Sequence, residues 1–326
     1  MEDRVEGVLG EVAAWLAADD PDPWVVETSG STGTPKRVLL SRAAVLASVH
    51  ASARRLGGSG RWLLALPPSY VAGLQVICRS LVAGHEPVVL EDDFAAAARR
   101  ADYVSLVPTQ LHRLLDTDAD ALRSFRTVLL GGGPIDAALR QRAADAGVRI
   151  VATYGSAETA GGCVYDGVPL DGVGVAIGDD GRIRIGGPVL FDGYAGDPAR
   201  TAEVLVDGWF LTSDAGRLDA DGRLHVLGRL DDIVVSGGVN VPAAAVAARL
   251  REHPAVRGAE VLGVPDEEWG NRVVAFVVGD LSPDEARDWV GEQHPRSWAP
   301  RQLVRLDAIP MLDNGKPDRI ALRDLA

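Results

Sequence analysis

Short apolar runs alternate with stretches of helical periodicity through the first half of the chain. The runs that we predict as strands lie at 24–28, 62–66, 87–90, 103–107, 127–130 and 149–151. The alanine- and arginine-rich stretches that we predict as helices lie at 42–56, 94–101, 109–115 and 135–146. Parallel strands need a crossover connection, usually a helix, so this alternation favours βαβ units and a mostly parallel sheet. The sequence therefore predicts an α/β fold.

The pattern changes after about residue 160. Glycines become frequent, and apolar residues alternate with polar ones at 181–187 and 223–228, which is typical of hairpins in a β-rich subdomain. From about Asp232 strands and helices alternate again. We predict a large N-terminal domain at 1–230, with mixed and parallel sheets flanked by helices, and a small, mobile α/β domain at 231–326. The absence of a linker-like segment between them favours a hinge.

Length and charge limit the function classes. A chain of 326 residues is long enough for about two domains. Its 33 basic and 46 acidic residues give a net charge of −13, and phosphate binding depends on positive charge, so nucleic acid and anionic membranes are poor partners. The start of the chain lacks a basic signal segment, and the longest uncharged stretch, at 62–78, is interrupted by two prolines. We predict a soluble, cytoplasmic protein without a membrane span.

Several common chemistries lack their usual residues. Cys78 and Cys163 cannot form a disulfide framework, and we predict that both are buried and take no part in the chemistry. The nearest pair of histidines, His85 and His112, is 27 positions apart, so no local zinc pair is indicated. A Gly-x-Ser-x-Gly segment is also absent, which argues against a serine hydrolase.

A segment rich in hydroxyl groups and glycine directly follows the first predicted strand. It reads Thr28-Ser-Gly-Ser-Thr-Gly-Thr-Pro-Lys36. Glycines allow the backbone to present successive N–H donors, and serine and threonine add hydroxyl donors for phosphate oxygens. The segment is not a Walker A loop, which requires Gly-x-x-x-x-Gly-Lys-Ser/Thr. Residue types alone leave two alternatives, a phosphate-binding loop and a polar surface loop.

This loop resembles the phosphate-binding signature of the acyl- and aryl-CoA synthetase superfamily of adenylate-forming enzymes. Segments similar to its later signatures follow in the same order: Leu130-Gly-Gly-Gly-Pro, Tyr154-Gly-Ser-Ala-Glu-Thr, Gly208-Trp-Phe-Leu-Thr-Ser-Asp, Gly228-Arg-Leu-Asp-Asp, Ser236-Gly-Gly-Val-Asn and Asn314-Gly-Lys316. The resemblance extends from Thr28 to about Arg319. It implies a ligase that forms an acyl-adenylate from an acid and ATP with Mg²⁺, and then a thioester with CoA.

The resemblance also implies a set of nucleotide-binding residues. The glycines after Leu130 would form a flat surface against adenine, Tyr154 would stack on the base, and Glu158 would bind Mg²⁺, which prefers oxygen ligands. Asp214 would accept hydrogen bonds from the ribose hydroxyls, and Arg229 would donate to ribose or phosphate. The implied ATP-binding set is Thr28, Ser29, Gly30, Ser31, Thr32, Gly33, Lys36, Gly131, Gly132, Gly133, Tyr154, Gly155, Ser156, Asp214 and Arg229.

Further roles are implied at and after the predicted hinge, Asp231. Gly237 and Gly238 would line the tunnel for the pantetheine arm of CoA. Lys316 would reach the carboxylate and the α-phosphate in the first step, where a fixed cation stabilises developing negative charge. The implied catalytic set is Lys316, Arg229 and Glu158.

Segments beginning at Tyr70, Ser105 and Gly161 resemble, within the superfamily, the CoA ligases of menaquinone biosynthesis, whose aromatic acid carries two carboxylates. The carboxylate that is not activated needs a cation, and Arg79 meets that need; a helix-surface arginine is the structural alternative. Tyr70 and Gly161 complete the implied acid-binding set. Two functional alternatives stay open: a CoA ligase for another aryl or fatty acid, and an adenylation module that serves a carrier protein. The sequence also leaves a homodimer open.

Overall fold

The computed structural model describes residues 2–28, 36–133, 135, 137–311 and 317–326, without the side chains of residues 2–4 and 231. The chain divides into two compact units. The first unit contains Met1–Ala176, Arg184–Thr212 and Leu218–Leu224. The second unit contains Ile177–Ile183, Ser213–Arg217 and His225–Ala326.

Helices and strands alternate along much of the chain. In chain order the helices are α1 (Glu2–Ala17), α2 (Arg42–Leu56), α3 (Val71–Val82), α4 (Phe94–Ala98), α5 (Pro108–Thr117), α6 (Ala119–Ser124), α7 (Ala137–Asp145), α8 (Pro198–Val204), α9 (Ala243–Arg251), α10 (Pro283–Gly291) and α11 (Arg319–Arg323). In chain order the strands are β1 (Trp24–Thr28), β2 (Lys36–Leu40), β3 (Trp62–Leu64), β4 (Val88–Val89), β5 (Tyr103–Leu106), β6 (Thr127–Leu130), β7 (Ile150–Ser156), β8 (Gly161–Tyr165), β9 (Val168–Pro169), β10 (Gly174–Ile177), β11 (Arg182–Gly186), β12 (Gly193–Tyr194), β13 (Leu205–Val206), β14 (Trp209–Leu218), β15 (Leu224–Arg229), β16 (Ile233–Ser236), β17 (Val239–Pro242), β18 (Val256–Asp266), β19 (Gly270–Gly279) and β20 (Gln302–Arg305).

The largest sheet of the first unit has seven strands in the order β4-β3-β5-β6-β7-β8-β9. The five strands from β4 to β7 pair in parallel, which confirms the predicted parallel sheet, and β8 and β9 continue it antiparallel. Side chains of a strand point alternately to opposite faces. Leu63 accordingly packs in one hydrophobic cluster, and its neighbours Trp62 and Leu64 pack in the other. Burial of both faces explains why these strands are continuous apolar runs.

The predicted helix at 42–56 is confirmed with the same bounds. It begins after Ser41, whose side chain accepts a hydrogen bond from the backbone N–H of Ala44, and it ends at Gly57 in the left-handed conformation. The helix predicted at 94–101 ends earlier, at Ala98. There Arg100 and Ala101 donate to the carbonyls three residues before them, so the last turn is tighter than an α-helix.

Two smaller sheets contain the strands at the start of the chain and those of its β-rich part. Strand β2 pairs antiparallel with β1 on one side and with β12 on the other. Strands β10, β11, β14 and β13 form a second sheet, in which β15 also pairs with β14. These strands include the two segments that the sequence predicted as parts of hairpins, which confirms a β-rich subdomain.

The C-terminal part of the second unit has its own core. The hairpin of β16 and β17 and the sheet β18-β19-β20 pack with α9 and α10 around buried apolar residues that include Val246, Leu250 and Val277. This arrangement confirms the predicted small α/β domain. Within the described part of the chain, no helix combines the length and the apolar character that crossing a membrane requires.

Candidate active site

Strands β1 and β2 hold the two ends of the predicted phosphate-binding loop. Thr28 is the last residue of β1 and Lys36 the first of β2, and the two are cross-strand partners. The ends of the segment that joins them are therefore adjacent. The other predicted residues of this loop lie outside the described residues: Ser29, Gly30, Ser31, Thr32 and Gly33.

The carboxylate of Glu158 lies beside Lys36 and Tyr194. Glu158 follows β7 in a short 3₁₀ turn and is buried. The Tyr194 hydroxyl donates to its Oε1 at 2.8 Å, and Lys36 Nζ lies 3.9 Å from the same oxygen. Burial, together with the negative charge of Glu158, raises the pKa of the Tyr194 phenol, which therefore stays a neutral donor. Sequence reasoning missed Tyr194, because a tyrosine after a glycine carries no signature of its own.

This carboxylate fits the implied magnesium ion. Tyr194 engages Oε1, and Oε2 accepts no hydrogen bond from any described side chain or backbone group. A carboxylate oxygen held in place by a second contact is a suitable ligand for a hard cation. The described residues contain no group of three or more histidine, cysteine, aspartate or glutamate side chains that could enclose a metal. Substrate phosphates and water are further oxygen ligands that a magnesium ion at Glu158 would accept.

The predicted adenine-binding residues lie at the carboxyl ends of neighbouring parallel strands. Gly131, Gly132 and Gly133 follow β6, and Tyr154 lies on β7, whose Ala152 pairs with Leu130. A Cβ atom at Gly131 would come within 2.4 Å of the Thr153 hydroxyl, so the absence of a side chain permits this close approach. The carboxyl ends of parallel strands are where open α/β sheets bind ligands.

Close backbone contact also shapes the segment that leads to Glu158. A Cβ atom at Gly155 would lie 2.1 Å from the Gly161 carbonyl oxygen, so β7 and β8 can pair here only through a glycine. The hydroxyl of Thr159 accepts from the Ser156 backbone N–H and donates to the Gly161 carbonyl. These bonds bring Gly155, Ser156 and Glu158 into one compact turn beside β8.

Helix α3 separates the predicted acid-binding residues. Tyr70 caps its N-terminus and is 51% exposed, whereas Arg79 lies in its last turn and is 6% exposed. At 1.5 Å of rise per residue these positions are roughly 13 Å apart along the helix axis. Gly161 lies between them, against Val71 and Gln75. The structure therefore places Gly161 against α3 but does not bring Tyr70 and Arg79 together.

Arg79 is a buried cation inside the first unit. Its Nη2 donates to the hydroxyl of Tyr165 at 3.2 Å, and its guanidinium lies 4.9 Å from the ring centre of Trp62. Its buried Nε has no hydrogen-bond partner, and no carboxylate of the described residues pairs with it. Since a buried charge is normally paired, this arginine has unused capacity to bind an anion. The burial of Arg79 therefore excludes the alternative in which it is an exposed arginine on the helix surface.

The second unit contains the predicted ribose-binding pair. Asp214 on β14 and Arg229 at the end of β15 form an ion pair of 3.4 Å between Oδ1 and Nη1. The predicted hinge residue Asp231 lies in the short 3₁₀ turn Leu230–Asp232, and its side chain is outside the described residues. Asp232 pairs with Arg319 through two hydrogen bonds.

The predicted CoA-side glycines form the turn between β16 and β17. Gly237 and Gly238 have φ angles of 57° and 77°, which favour glycine. Gly237 donates its backbone N–H to the Trp269 carbonyl, and a Cβ atom at Gly237 would lie 2.6 Å from the Trp269 ring. Trp269, which sequence reasoning missed, thus lies directly against this turn. Lys316 lies outside the described residues, between Met311 and Pro317, which form a β-bridge.

Both cysteines are buried, as predicted. Burial raises the pKa of the Cys78 and Cys163 thiols to about 12. Thiols with so high a pKa form little thiolate near neutral pH and are poor nucleophiles.

Comparison with known proteins identifies the family of this chain. The model of the AMP-binding enzyme family matches residues 24–195, and that of the AMP-binding enzyme C-terminal domain matches residues 245–316. The chain belongs to the AMP-binding enzyme family. These enzymes are adenylate-forming ligases, which confirms the resemblance that the sequence motifs indicated.

Relatives within this family share most of the chain. A probable 2-succinylbenzoate–CoA ligase from Mycobacterium tuberculosis is 43% identical over 97% of this chain and 88% of its own length. The structure of o-succinylbenzoate CoA synthetase (MenE) from Bacillus subtilis with the acyl-adenylate OSB-AMP has a TM-score of 0.78 at 30% identity, covering 93% of this chain and 69% of that one. The amide bond synthetase McbA from Marinactinospora thermotolerans has a TM-score of 0.78 at 33% identity, covering 92% and 68%.

Proposed function

We propose that this protein is an ATP- and CoA-dependent ligase that converts 2-succinylbenzoate to 2-succinylbenzoyl-CoA in menaquinone biosynthesis. The observation that carries the proposal is the 43% identity, over 97% of this chain, to a probable ligase of that name. The structural match to the Bacillus subtilis synthetase, which was also solved with ATP and a magnesium ion, supports it. The first unit supplies the groups that the first step needs. Glu158 supplies a carboxylate, Lys36 a cation, and the glycines after β6 a backbone surface without side chains.

The first step joins the acid to AMP. A carboxylate oxygen of the acid attacks the α-phosphorus of ATP, the bond from that phosphorus to the bridging oxygen breaks, and pyrophosphate leaves with the electron pair. The loop from Thr28 to Lys36 holds phosphate oxygens, and Lys316 stabilises the charge that develops on the transferring group. When magnesium is bound, it neutralises phosphate charge. Glu158 holds it, Tyr154 and Gly131–Gly133 orient the adenine, and Asp214 and Arg229 bind the ribose side.

The second step transfers the acyl group to CoA. The thiol sulfur attacks the acyl carbonyl carbon and gives its proton to water, the bond from that carbon to the phosphate oxygen breaks, and AMP leaves with the electron pair. The Gly237–Gly238 turn would line the path of the pantetheine arm, and the domain at 231–326 would rotate about Asp231 between the steps. Such a rotation lets one site exclude water from the adenylate and later admit a thiol.

The acid would be recognised partly through Arg79. An acid with two carboxylates presents one for activation and one that needs a fixed partner. Arg79 is buried, has no carboxylate partner among the described residues and keeps Nε unbonded. Gly161 packs closely against the same helix, where a Cβ atom would come within 3.2 Å of the Gln75 side chain. Tyr70 lies at the other end of α3 and would contact a different part of the acid.

Two other acceptors for the acyl group deserve a test. The similarity to an amide bond synthetase suggests transfer to an amine in place of a thiol. An adenylation module that serves a carrier protein would transfer to a protein-bound thiol. Both alternatives share the first step with the proposed ligase and differ from it only in the second.

An assay of AMP release tests the proposal. Purified protein is given ATP and magnesium with 2-succinylbenzoate, with benzoates that lack one carboxylate, or with fatty acids. We expect AMP and a CoA thioester to form only when both 2-succinylbenzoate and CoA are present. Equal turnover of a fatty acid would identify a different CoA ligase, and AMP release with an amine but not with CoA would identify an amide synthetase.

We also propose a cytoplasmic location and a homodimer, both on the sequence alone. Light scattering during size-exclusion chromatography distinguishes a dimer from a monomer. Fractionation of the source cells, with detection of the protein in the soluble and membrane fractions, tests the location.

A further inference from the structure

Gln75 of helix α3 contacts the turn that carries Glu158. Its Nε2 donates to the backbone carbonyl of Ala160 at 2.8 Å, and both residues are buried. Ala160 lies two positions after Glu158 and closes the 3₁₀ turn, since its backbone N–H donates to the Ala157 carbonyl. One hydrogen bond therefore joins α3 to this turn, between residues that are 85 positions apart in the sequence.

The turn ends in a backbone conformation that alanine rarely adopts. Ala160 has φ 46° and ψ 40°, which lie in the left-handed region. For a residue with a side chain this region costs free energy, so surrounding contacts must hold it there. Gly161 follows with a φ of 93°. The path of the chain directly after Glu158 therefore depends on the contacts that hold Ala160.

The side chain of Gln75 lies against both of these residues. A Cβ atom at Gly161 would lie 3.2 Å from its Cγ, and its amide reaches the Ala160 carbonyl. A reversed amide would place its oxygen against that carbonyl oxygen, which only a donor can satisfy. Its Oε1 is buried and has no hydrogen-bond partner among the described residues. Because an unbonded buried acceptor costs free energy, the contact with Ala160 sets the orientation of the amide.

Helix α3 gives Gln75 a fixed base. A Cβ atom at Gly73 would lie 2.1 Å from the Pro67 carbonyl oxygen, so the helix backbone packs directly on the segment before it. Near the other end of the helix, the hydroxyl of Ser80 accepts from the Trp62 backbone N–H at 2.9 Å. Close packing at both ends restricts the helix to one position, and the position of the Gln75 amide follows from it.

We propose that Gln75 is a positioning residue whose amide holds Ala160 in the left-handed conformation and thereby fixes the carboxylate of Glu158 for magnesium ATP. The inference rests on the proposed function for the ligand that Glu158 meets. The contact between Gln75 and the turn, however, is a property of the protein without ligands. Gln75→Met keeps nearly the same side-chain volume and removes the amide, so it takes away the donor to Ala160 without opening a large cavity.

Hydrogen exchange of the ligand-free protein tests the contact itself. In Gln75→Met, backbone amides at 157–161 should exchange about three- to tenfold faster than in the wild type, because the net contribution of one hydrogen bond corresponds to a factor of this size. Mass spectrometry of the peptide that spans these residues measures the rate. An unchanged rate in this peptide would overturn the proposal.

Binding of a fluorescent ATP analogue tests the effect on Glu158 without turnover. Gln75→Met should raise the magnesium concentration at half-saturation about three- to tenfold, because losing a contact that orients a metal ligand weakens metal binding. Affinity for the analogue in EDTA should stay within about 1.5-fold of the wild type, since Glu158 acts on the nucleotide through the metal. An equal loss with and without magnesium would make Gln75 a structural residue and overturn the proposal.

A double variant shows whether the effect passes through Glu158. Glu158→Gln alone should raise the magnesium half-saturation. Adding Gln75→Met should then change it by less than about twofold, since a residue that acts through another has little effect of its own once the other is gone. A full further shift in the double variant would overturn the positioning role.

Ser80→Ala is the matched control on the same helix. It removes another buried side-chain contact of α3 with a neighbouring backbone, the bond from the Trp62 N–H. Exchange at 157–161 and the magnesium titration should both match the wild type, and equal changes in the two variants would overturn the proposal. If the wild type releases no AMP with any acid while the exchange and magnesium results hold, the proposed function fails and the positioning role stands.

Discussion

Arg229 Nη1 lies 3.4 Å from Asp214 Oδ1, so two residues that were each predicted to bind nucleotide are paired with one another. Their side chains are 47% and 21% exposed, and they extend from strands that pair in the same sheet. An ion pair this open to water contributes at most about 1 kcal/mol to stability. The pair can therefore separate at little cost when a ribose offers hydroxyl groups to both partners.

Asp214→Asn should weaken ATP binding and leave stability almost unchanged. An amide keeps one acceptor but loses the charge, and a hydrogen bond to a charged group contributes about 1.5–3 kcal/mol, so the KM for ATP should rise roughly 10- to 200-fold. The free energy of unfolding should change by less than about 1 kcal/mol. Asp171→Asn, in the exposed pair with Arg54, is the control and should change neither quantity. A KM within twofold of the wild type would remove Asp214 from the nucleotide site.

Glu158→Gln should raise the magnesium requirement. An amide oxygen is a poorer ligand for a hard cation than a carboxylate, so a magnesium titration of AMP release should show a half-saturation about tenfold higher. Glu27→Gln is the control, because it makes the same chemical change at an exposed residue of β1. If the two variants give the same titration curve, the metal binds elsewhere.

Lys316→Ala should separate the two steps of the reaction. A cation that acts only on the transferring phosphoryl group stabilises the first transition state and not the second. We expect acyl-adenylate formation to fall by at least about 100-fold, and thioester formation from supplied acyl-adenylate to stay within about threefold. Arg323→Ala, near the same terminus, should affect neither half-reaction. Equal losses in both half-reactions would contradict this division of roles.

Gly237→Ala and Gly238→Ala form a matched pair. Both positions have φ near +60° to +80°, so each alanine carries the strain of the left-handed region, about 1–2 kcal/mol. Of the two methyl groups, only the one at 237 would clash, because it would lie 2.6 Å from the Trp269 ring. The guanidinium of Arg301 packs on that ring, 3.3 Å from its centre. Gly237→Ala should therefore lower the free energy of unfolding by about 1–3 kcal/mol more than Gly238→Ala does. Urea denaturation of both variants measures the difference.

The same pair tests the CoA side of the site. If this turn lines the path of the thiol, Gly237→Ala should slow thioester formation more than adenylate formation. Comparable rates of both half-reactions, once the data are corrected for the folded fraction, would make the turn purely structural.

Arg79→Ala should distinguish acids by their second carboxylate. Because Arg79 is buried, the variant loses stability whether or not it binds substrate, so the ratio between two acids decides the question. The kcat/KM for 2-succinylbenzoate should fall roughly 10- to 200-fold, and that for an analogue without the ring carboxylate should fall little. The KM for ATP should not change.

Tyr165→Phe is the control for Arg79. It removes the hydroxyl that accepts from the guanidinium and leaves the charge in place. It should lower the free energy of unfolding. The ratio of kcat/KM between the two acids should change less than it does in Arg79→Ala. An equal fall for both acids in Arg79→Ala would make the arginine a structural residue.

Local signals were sufficient for many individual elements. The predicted strands at 24–28 and 127–130 and the helix at 42–56 have the observed bounds. The strand at 127–130 is an apolar run that both faces of a sheet can bury, and the helix is bounded by the capping residues Ser41 and Gly57. The motifs likewise identified the family, because the segments that resemble its signatures follow one another along this chain in the same order.

The tertiary structure decided which of these residues meet. Strand β7 runs to Ser156, five residues beyond its predicted end, because pairing with β8 extends it. The hydrogen bond between Tyr194 and Glu158 joins residues 36 positions apart, and no periodicity predicts such a contact. Conversely, α3 holds Tyr70 and Arg79 at opposite ends, although one sequence segment contains both. Residue types determine which chemistry a chain can support, whereas the pairing of distant strands and the rise of a helix determine which side chains can act on one substrate.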